Sequence, residues 1–351
     1  MDKSFWDKKS VFLTGHTGFK GGWLAHWLSM LGANVHGYSL NPNPGSSFFK
    51  ATNLEDRLSS SIIGDIRDLD KISTSIKKSK ADILIHMAAQ PIVRSSYQDP
   101  IETFSTNVIG TANVLESIRQ SETVRAIVNI TTDKCYENKE WTKPYKEDDR
   151  LGGHDPYSAS KACAEIVSSA FHKSFLKENN QFIASVRAGN VIGGGDWAID
   201  RLIPDFFRSI DSGEILMIRS PDSIRPWQHV LEPLYGYLLI AENLFKNGDS
   251  YSGAWNFGPR DEDSKSVKWI VEKLCELYPN SDWSVDDNPH PHEAVQLKLD
   301  STKAIKNLNW SPQWNIENAL YKTVEWHKSC KDDTDMEKLT DSQIIEYSKS
   351  I

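Results

Sequence analysis

Residues 14–21 read TGHTGFKG, and this stretch decides the fold. It follows a short apolar run, Val11–Leu13, and opens a segment of helical period, Phe19–Leu31. Its glycines allow a sharp backbone turn, and the first helical turn offers unpaired N–H groups to a phosphate. Because a tight strand-to-helix connection would also use glycines, the prediction depends on the surrounding pattern. The predicted phosphate-binding residues are Gly15, His16, Thr17, Gly18, Phe19, Lys20 and Gly21.

Short apolar runs alternate with helical segments through the first half of the chain. This βαβ series predicts an α/β fold with a Rossmann-type, doubly wound parallel sheet. The predicted strands are Val11–Leu13, Val35–Tyr38, Ser61–Ile63, Ile83–His86, Ala126–Thr131 and Phe182–Val186. The predicted helices between them are Phe19–Leu31, Asp68–Lys80, Asp99–Gln120 and Pro156–Lys177.

The pattern becomes less regular after Arg187, although a helix is still predicted over Leu231–Phe245. We expect a dinucleotide-binding Rossmann domain over residues 1–187 and a smaller, mixed α/β substrate-binding region over residues 188–330. Residues 331–351 form a charged tail, which we expect to be either an appended helix or partly disordered.

The composition is that of an ordinary globular protein, with 39% hydrophobic and 25% charged residues. A formal net charge of −8 argues against general nucleic-acid binding, which needs a basic surface. The four cysteines show no CxxC pairing, so we expect neither a metal site nor disulfides. Residues 1–10 are polar, and no run of about 18 apolar residues follows. We therefore expect a cytoplasmic protein that does not enter the membrane.

The ends of the next strands bear on the choice of dinucleotide. Tyr38–Asn41 offers neither the acidic residue that would bind an adenine ribose nor an arginine for a 2′-phosphate, so NAD is favoured over NADP. The segment Gly64–Asp68 either receives the adenine or is a polar turn with Asp68 as the helix cap. The predicted cofactor-binding residues in this part of the chain are Asp65, Ile66, Ala88, Ala89, Gln90 and Asn107.

Tyr157 and Lys161 begin a predicted helix, with Asp155 as its cap. Their i,i+4 spacing places both side chains on one helix face. An ammonium nearby would lower the pKa of the phenol, which could then take a hydroxyl proton during hydride loss. On its own the pair would more often be a packed tyrosine beside a solvated lysine. Its position downstream of the glycine-rich loop favours the redox interpretation.

Thr132, Asp133 and Lys134 follow the fifth predicted strand, at the sheet edge where open α/β proteins bind ligands. Thr132 can hydrogen-bond the oxygen being oxidised, Asp133 can act as an acid, and Lys134 can act as a base if its pKa is lowered. Without the Tyr157–Lys161 pair, a strand-terminal polar turn would be the better interpretation.

Together these motifs resemble the extended short-chain dehydrogenase/reductase family. Five segments resemble, more narrowly, the CDP-glucose 4,6-dehydratases within it: residues 14–24 (TGHTGFKGGWL), 131–136 (TTDKCY), 155–165 (DPYSASKACAE), 187–204 (RAGNVIGGGDWAIDRLIP) and 225–231 (RPWQHVL). The resemblance implies a lyase that oxidises C4 of a hexose with NAD, eliminates water across C5 and C6, and returns the hydride to C6. The implied substrate is CDP-glucose, and no nucleic acid or membrane partner is implied.

The resemblance also implies roles for the candidate catalytic residues. Tyr157 would be the C4 base, Lys161 would support it and hold the nicotinamide ribose, and Thr132 would bind the C4 oxygen. Asp133 would protonate the departing C6 hydroxyl. The related dTDP-glucose dehydratases carry Glu where Lys134 stands, and that Glu removes the C5 proton. Since a lysine must first lose its own proton, a water or another group could serve as the C5 base here.

By the same resemblance, Asn190 and Arg201 would hold the nucleotide and Arg225 the pyrophosphate, for which a guanidinium fork is well shaped. Arg94 and His292 are further candidates that could equally be surface residues. The preference for cytosine rests wholly on the resemblance. The long helices Asp99–Gln120 and Pro156–Lys177 pair across a two-fold axis in the family, so a homodimer or homotetramer is expected.

Two competing functions follow from the same residues. In a nucleotide-sugar 4-epimerase or reductase of this fold, Asp133 and Lys134 would be merely structural. A non-catalytic dinucleotide-binding regulator would carry a degraded Tyr-x-x-x-Lys site, whereas this chain keeps both residues.

Overall fold

A computed structural model describes residues 1–279, 281–286, 288, 297–332 and 334–351. The strands in these residues are β1 (Ser10–Thr14), β2 (Asn34–Ser39), β3 (Ser60–Ile63), β4 (Ile83–His86), β5 (Ala126–Ile130), β6 (Phe182–Ala188), β7 (Val191–Ile192), β8 (Leu216–Ile218), β9 (Ile224–Pro226), β10 (Gln228–His229), β11 (Gly253–Phe257), β12 (Ser264–Ser266) and β13 (Trp283–Val285). Within this part of the chain, seven strands form one parallel sheet in the order β11-β6-β5-β4-β1-β2-β3. The predicted fold class is confirmed.

Helices connect the strands and cover both faces of the sheet. They are α1 (Lys3–Trp6), α2 (Phe19–Met30), α3 (Phe48–Ala51), α4 (Leu69–Ser79), α5 (Val93–Gln98), α6 (Pro100–Phe104), α7 (Gly110–Arg119), α8 (Pro156–Phe171), α9 (Leu202–Ser212), α10 (Leu231–Asn247), α11 (Val267–Leu277), α12 (Thr302–Leu308), α13 (Ile316–Lys331) and α14 (Met336–Ser348). π-helical turns join α6 to α7 and extend α8, so the two long predicted helices are each interrupted rather than uniform.

Short side chains set the starts of the helices that matter for the site. Asp155 accepts a hydrogen bond from the Ser158 N–H at 2.9 Å and caps α8, as predicted. Asp68 caps α4 in the same way, through the Lys71 N–H at 3.0 Å. Both caps satisfy N–H groups that would lack a partner in the first turn.

Two apolar layers enclose the sheet. On one face, α2 and α10 contribute buried side chains such as Trp23 and Leu238. On the other face, Ile72 of α4 and Val114 of α7 are buried. A third apolar core lies among α9, α11 and α13, in the part of the chain predicted to bind substrate.

The sheet continues beyond the predicted domain boundary at residue 187. Strand β11 pairs in parallel with β6 at the edge of the sheet, although it comes from residues 253–257. Helix α10 also contacts β5 and β6. The division into residues 1–187 and 188–330 stays a prediction, and the sheet itself draws on both parts.

Residues 336–348 are a helix, which is one of the two alternatives expected for the tail. Asp341 of α14 lies 2.7 Å from His26 Nε2 on α2, and Arg57 contacts Glu337 at 2.6 Å. The ring of Tyr347 packs edge-on against Trp27, with 5.8 Å between centroids. The helix is thus docked on the same α2 that follows the glycine-rich loop. Across the described residues, no helix has both the length and the apolar character needed to cross a membrane.

Candidate active site

A cavity of about 880 Å³ opens at the carboxyl ends of the central strands. Its walls come from the glycine-rich loop, the ends of β4 and β5, the start of α8 and the segment that leads into α9. This is where a doubly wound sheet places its ligands, because the crevice lies outside the carboxyl ends of the strands.

The turn at the start of α2 has no room for a side chain at two of its glycines. Gly15 has φ +83°, and a Cβ there would lie 2.9 Å from the backbone nitrogen of Ala88. A Cβ on Gly21 would lie 2.0 Å from the Gly15 carbonyl oxygen. The backbone of the loop is therefore packed as closely as a pyrophosphate-binding turn requires, and these residues fit a dinucleotide.

Most of the predicted cofactor residues line the cavity. They are Gly15, Thr17, Gly18, Phe19, Lys20, Gly21, Asp65, Ile66, Ala88, Ala89 and Gln90. Thr17 also donates to the Leu40 carbonyl at 2.9 Å, which ties the loop to the end of β2. Asp65 binds the guanidinium of Arg67 at 2.6 Å, while Asp68 caps α4, so this turn faces the cavity and caps a helix at once.

Two predicted cofactor residues do not line the cavity. The His16 ring lies under β2, with Nε2 2.8 Å from Ser61 Oγ, because Gly37 leaves room for it. Asn107 is buried, accepts from the Gln90 N–H at 2.9 Å and donates to Ser160 Oγ at 2.8 Å. The role of these two residues in cofactor binding therefore stays a prediction, and in this structure their side chains support the loops that line the cavity.

All five predicted catalytic residues line one region of the cavity. Thr132 Oγ1 donates to Asp133 Oδ1 at 3.0 Å and is near enough to Tyr157 to lower its pKa. Lys161 Nζ donates to the Ile130 carbonyl at 3.1 Å, which joins α8 to the end of β5. Tertiary structure therefore brings together a hydroxyl, a carboxyl, a phenol and two amines.

Burial, rather than the neighbouring ammonium, dominates the titration of Tyr157. Burial raises the pKa of Tyr157 to about 12, against a lowering by the Thr132 hydrogen bond and the charge of Arg201. The expected lowering by Lys161 is thus not found. The Lys161 ammonium is engaged with the Ile130 carbonyl, and burial lowers the pKa of Lys161 itself to about 8.

Burial shifts the pKa of Asp133 in the direction that an acid needs. Its side chain is 4% exposed, and burial raises its pKa, although Lys134, Thr132 and Arg225 oppose the rise. A raised pKa favours the protonated carboxyl, which is the form that can donate a proton to a leaving group.

The predicted substrate residues Arg94, Asn190, Arg201 and Arg225 also line the cavity. Asp196 binds Arg201 at 2.9 Å, and Asp200 binds Arg94 at 3.2 Å, so carboxylates orient both guanidinium groups. His292 lies outside the described residues.

Comparison with known proteins identifies the family of this chain. A CDP-glucose 4,6-dehydratase of Salmonella typhimurium is 52% identical over 353 residues, which cover 99% of this chain and 98% of that protein. The family model described as GDP-mannose 4,6 dehydratase matches residues 12–323. The chain belongs to this dehydratase family. The resemblance seen in the motifs is confirmed.

Solved structures of lower identity share the fold of this family member. A UDP-glucose 4-epimerase from Thermotoga maritima with UDP-glucose is 22% identical, with a TM-score of 0.79 and coverage of 91% of this chain and 98% of that one. A dTDP-glucose 4,6-dehydratase from Bacillus anthracis in complex with NAD is 20% identical, with a TM-score of 0.75 and coverage of 93% and 98%.

Sequence reasoning missed two features of the dehydratase site. The sequence assigns Lys20 only to the phosphate loop. In the structure, burial lowers the pKa of Lys20 to about 7, and the positive charges of Arg201 and Lys161 act in the same direction. Asp196, the partner of Arg201, was not singled out at all. The spacing of Asp196 and Arg201 gave no signal, because a loop rather than a helix brings them together.

Proposed function

We propose that this protein is a CDP-glucose 4,6-dehydratase that converts CDP-glucose into CDP-4-keto-6-deoxyglucose and water, with NAD as its cofactor. The single observation that carries the proposal is Asp133, a buried carboxyl with a raised pKa, hydrogen-bonded to Thr132 beside Tyr157. An oxidation alone needs no such acid, whereas an elimination of water does. The relative that is 52% identical supports the choice of substrate.

NAD would lie along the glycine-rich loop, with its pyrophosphate at the N-terminus of α2. Asp65, Ile66 and the backbone at Ala88–Gln90 would hold the adenosine side. When bound, NAD supplies a reversible acceptor for the hydride from C4. Lys161 would hold the nicotinamide ribose and keep a positive charge near Tyr157.

Tyr157 takes the proton of the C4 hydroxyl as C4 becomes a ketone. Thr132 donates a hydrogen bond to the same oxygen and fixes its position. Only the tyrosinate can accept a proton, and Lys161 must be charged, so the rate should rise with pH and level off near the pKa of Lys161, about 8.

Elimination follows because the C4 ketone acidifies the hydrogen at C5. Lys134, or a water that it orients, removes the C5 proton, the bond from C6 to oxygen breaks, and Asp133 protonates the departing hydroxyl. The hydride held by bound NAD would then return to C6, while a proton would return to C5. The sugar therefore loses one water, and no electrons are gained or lost overall.

Guanidinium groups would hold the anionic nucleotide. Arg225 would bind the pyrophosphate, while Arg201 and Asn190 would hold the rest of the nucleotide. Arg94 and His292 remain candidates for further contacts.

Mass spectrometry of the product tests the proposal. We expect CDP-glucose to lose the mass of one water, without net accumulation of reduced cofactor. A product of unchanged mass would instead indicate a 4-epimerase, and net consumption or formation of reduced cofactor would indicate a reductase or dehydrogenase. A panel of CDP-, UDP-, dTDP- and GDP-linked sugars in the same assay would test the choice of base.

We further propose that the protein acts in the cytoplasm and forms a homodimer or homotetramer. All four cysteines are free, which fits a reducing compartment. Its product would be a precursor of the dideoxysugars in bacterial lipopolysaccharide O-antigen.

A further inference from the structure

A buried ion pair lies behind the five predicted catalytic residues and has no part in the reaction described above. Glu165 on α8 is 5% exposed and Arg187 on β6 is 2% exposed. Arg187 Nε donates to Glu165 Oε1 at 2.7 Å, and Nη2 donates to Oε2. Neither residue lines the cavity. Two buried charges are retained where a pair of apolar side chains would often be as stable, so they call for a reason.

The pair holds both ends of the segment that carries the candidate catalytic side chains. Glu165 Oε1 accepts from Thr131 Oγ1 at 2.6 Å, just before residues 132–134, and from Cys135 Sγ at 3.4 Å, just after them. Arg187 Nη1 donates to the Tyr136 hydroxyl at 2.6 Å. We call residues 131–136 the catalytic turn. Its flanking residues are thus fixed by charged partners, for which hydrogen bonds are shorter and stronger.

The hydrogen bonding continues behind the turn. The Tyr136 hydroxyl donates to Asn256 Oδ1 at 2.7 Å, and Asn256 Nδ2 donates to the Tyr145 carbonyl at 2.9 Å. Arg187 therefore joins the catalytic turn to β11 at the edge of the sheet. A network of this kind is rigid because each donor and acceptor has a fixed partner.

Glu165 also acts on the charge of Lys161. The two residues are one helical turn apart on α8, on the same face. Burial lowers the pKa of Lys161, and the largest opposing effect comes from Glu165, with a smaller one from Cys135. Lys20 at the start of α2 and His86 at the end of β4 also interact with the Lys161 charge.

We propose that Glu165 is a positioning residue of the dehydratase: its carboxylate anchors the catalytic turn at both ends and stabilises the positive charge of Lys161 one helical turn away. The inference rests on the proposed function, because it assigns a role within the same site. Glu165 would thus act on two buried cations, on Arg187 through a direct ion pair and on Lys161 across one helical turn.

Glu165→Gln tests the charge with little change in shape. The amide can still accept from Thr131, but it removes a negative charge beside Lys161. Since this disfavours the ammonium, the pKa of Lys161 should fall, and the pH at which kcat/KM levels off should move down by about one unit. We expect kcat to fall about tenfold or more, because Arg187 loses its charged partner.

Two matched variants separate position from charge. Thr131→Val removes one anchor of the catalytic turn and leaves all charges in place, so kcat should fall while the levelling-off pH stays that of the wild type. Glu165→Asp keeps the charge but shortens the side chain, so it should behave like Thr131→Val. A merely structural role of Glu165 would lower the melting temperature without moving the pH profile of the folded enzyme.

A second readout does not depend on turnover. The rate at which acetic anhydride labels Lys161, followed by peptide mass spectrometry over a pH series, gives the pKa of that amine directly. We expect it to be lower in Glu165→Gln than in the wild type and in Thr131→Val. An unchanged labelling profile together with an unchanged kcat/KM profile would overturn the inference. If instead the wild-type protein fails to dehydrate CDP-glucose, the proposed function falls, while the labelling result still decides whether Glu165 controls Lys161.

Discussion

Tyr157 and Asp133 are two acids buried in one cavity, and burial raises the pKa of both because an anion loses solvation there. The effect helps one residue and hinders the other. A raised pKa favours the protonated form of Asp133, which an acid needs, whereas Tyr157 must lose its proton before it can act as a base. The Thr132 hydroxyl and the charge of Arg201 lower the pKa of Tyr157 and so favour the tyrosinate.

Asp133→Asn should separate the two halves of the reaction. The amide cannot donate the proton that the C6 hydroxyl needs, so dehydration should slow by about 10²- to 10⁴-fold, the range for general acid catalysis. Oxidation at C4 does not use Asp133, so reduced cofactor should accumulate and be visible by absorbance. The control Asp211→Asn changes an exposed carboxylate that pairs with Lys331, and it should keep wild-type turnover. Full dehydration by Asp133→Asn would exclude Asp133 as the acid.

Single elements carry several parts of the site at once. Helix α8 presents Tyr157, Lys161 and Glu165 at successive turns, so one rigid element sets the positions of the phenol, the amine and the carboxylate that opposes it. Helix α14 has a different task, since it docks on α2 and α10 rather than on the cavity. Tyr347 of α14 donates to Glu232 of α10 at 2.7 Å, and Glu232 has no exposed surface.

Glu232 should make stability depend on pH. Burial raises its pKa from 4.5 to about 7, although hydrogen bonds from the Trp314 N–H and the Tyr347 hydroxyl oppose the rise. A raised folded-state pKa means that the stability from this group is fully present below pH 4.5 and is lost as the pH rises through 7. The full shift corresponds to roughly 3 kcal/mol. The melting temperature of Glu232→Gln should therefore exceed that of the wild type by a larger margin at pH 8 than at pH 5.

Tyr347→Phe provides the matched comparison for that measurement. This variant removes a hydrogen bond that lowers the pKa of Glu232, so that pKa should rise further. The loss of stability should then extend to higher pH, whereas the Gln variant should abolish the part of the pH dependence that comes from Glu232. Parallel melting curves for all three proteins across the pH series would contradict this account of α14.

At the scale of the whole molecule, one surface carries large apolar side chains in solvent. Ile101 is 77% exposed, Ile109 56%, Ile166 57% and Phe175 45%, and all four lie on the two long helical segments, residues 100–119 and 156–176. Isolated exposed apolar residues are ordinary, but a group on two adjacent helices is consistent with the proposed interface between subunits. Because α8 belongs to this surface, an interface there would also support the helix that carries Tyr157.

A paired substitution Ile101→Glu with Ile166→Glu should therefore convert the proposed homo-oligomer into smaller species. Four carboxylates would face one another across a two-fold axis, where apolar contact is expected. Light scattering after size-exclusion chromatography measures the change. The control is Ile305→Glu on α12, where the wild-type side chain is 49% exposed. This variant should leave the mass of the assembly unchanged. A double variant that keeps the wild-type mass would place the interface elsewhere.

Much of the site was accessible from sequence because it depends on short spacings. The glycine-rich loop, the Tyr157–Lys161 pair and the Asp155 cap each lie within one strand-to-helix connection or one helical turn, where local geometry fixes the arrangement. The βαβ alternation likewise determined the parallel sheet. Strand β11 escaped this reasoning, because its place beside β6 is set by packing over a long connection.

The sequence by itself determined the fold class and predicted the phosphate-binding loop and the Tyr157–Lys161 pair, since all three follow from local pattern. Only the tertiary structure decided how those residues titrate and which charges meet. Burial depends on the whole chain, so it raised the pKa of Tyr157 where spacing alone predicted a fall. Glu165 and Arg187, 22 positions apart, become partners only when α8 packs beside β6.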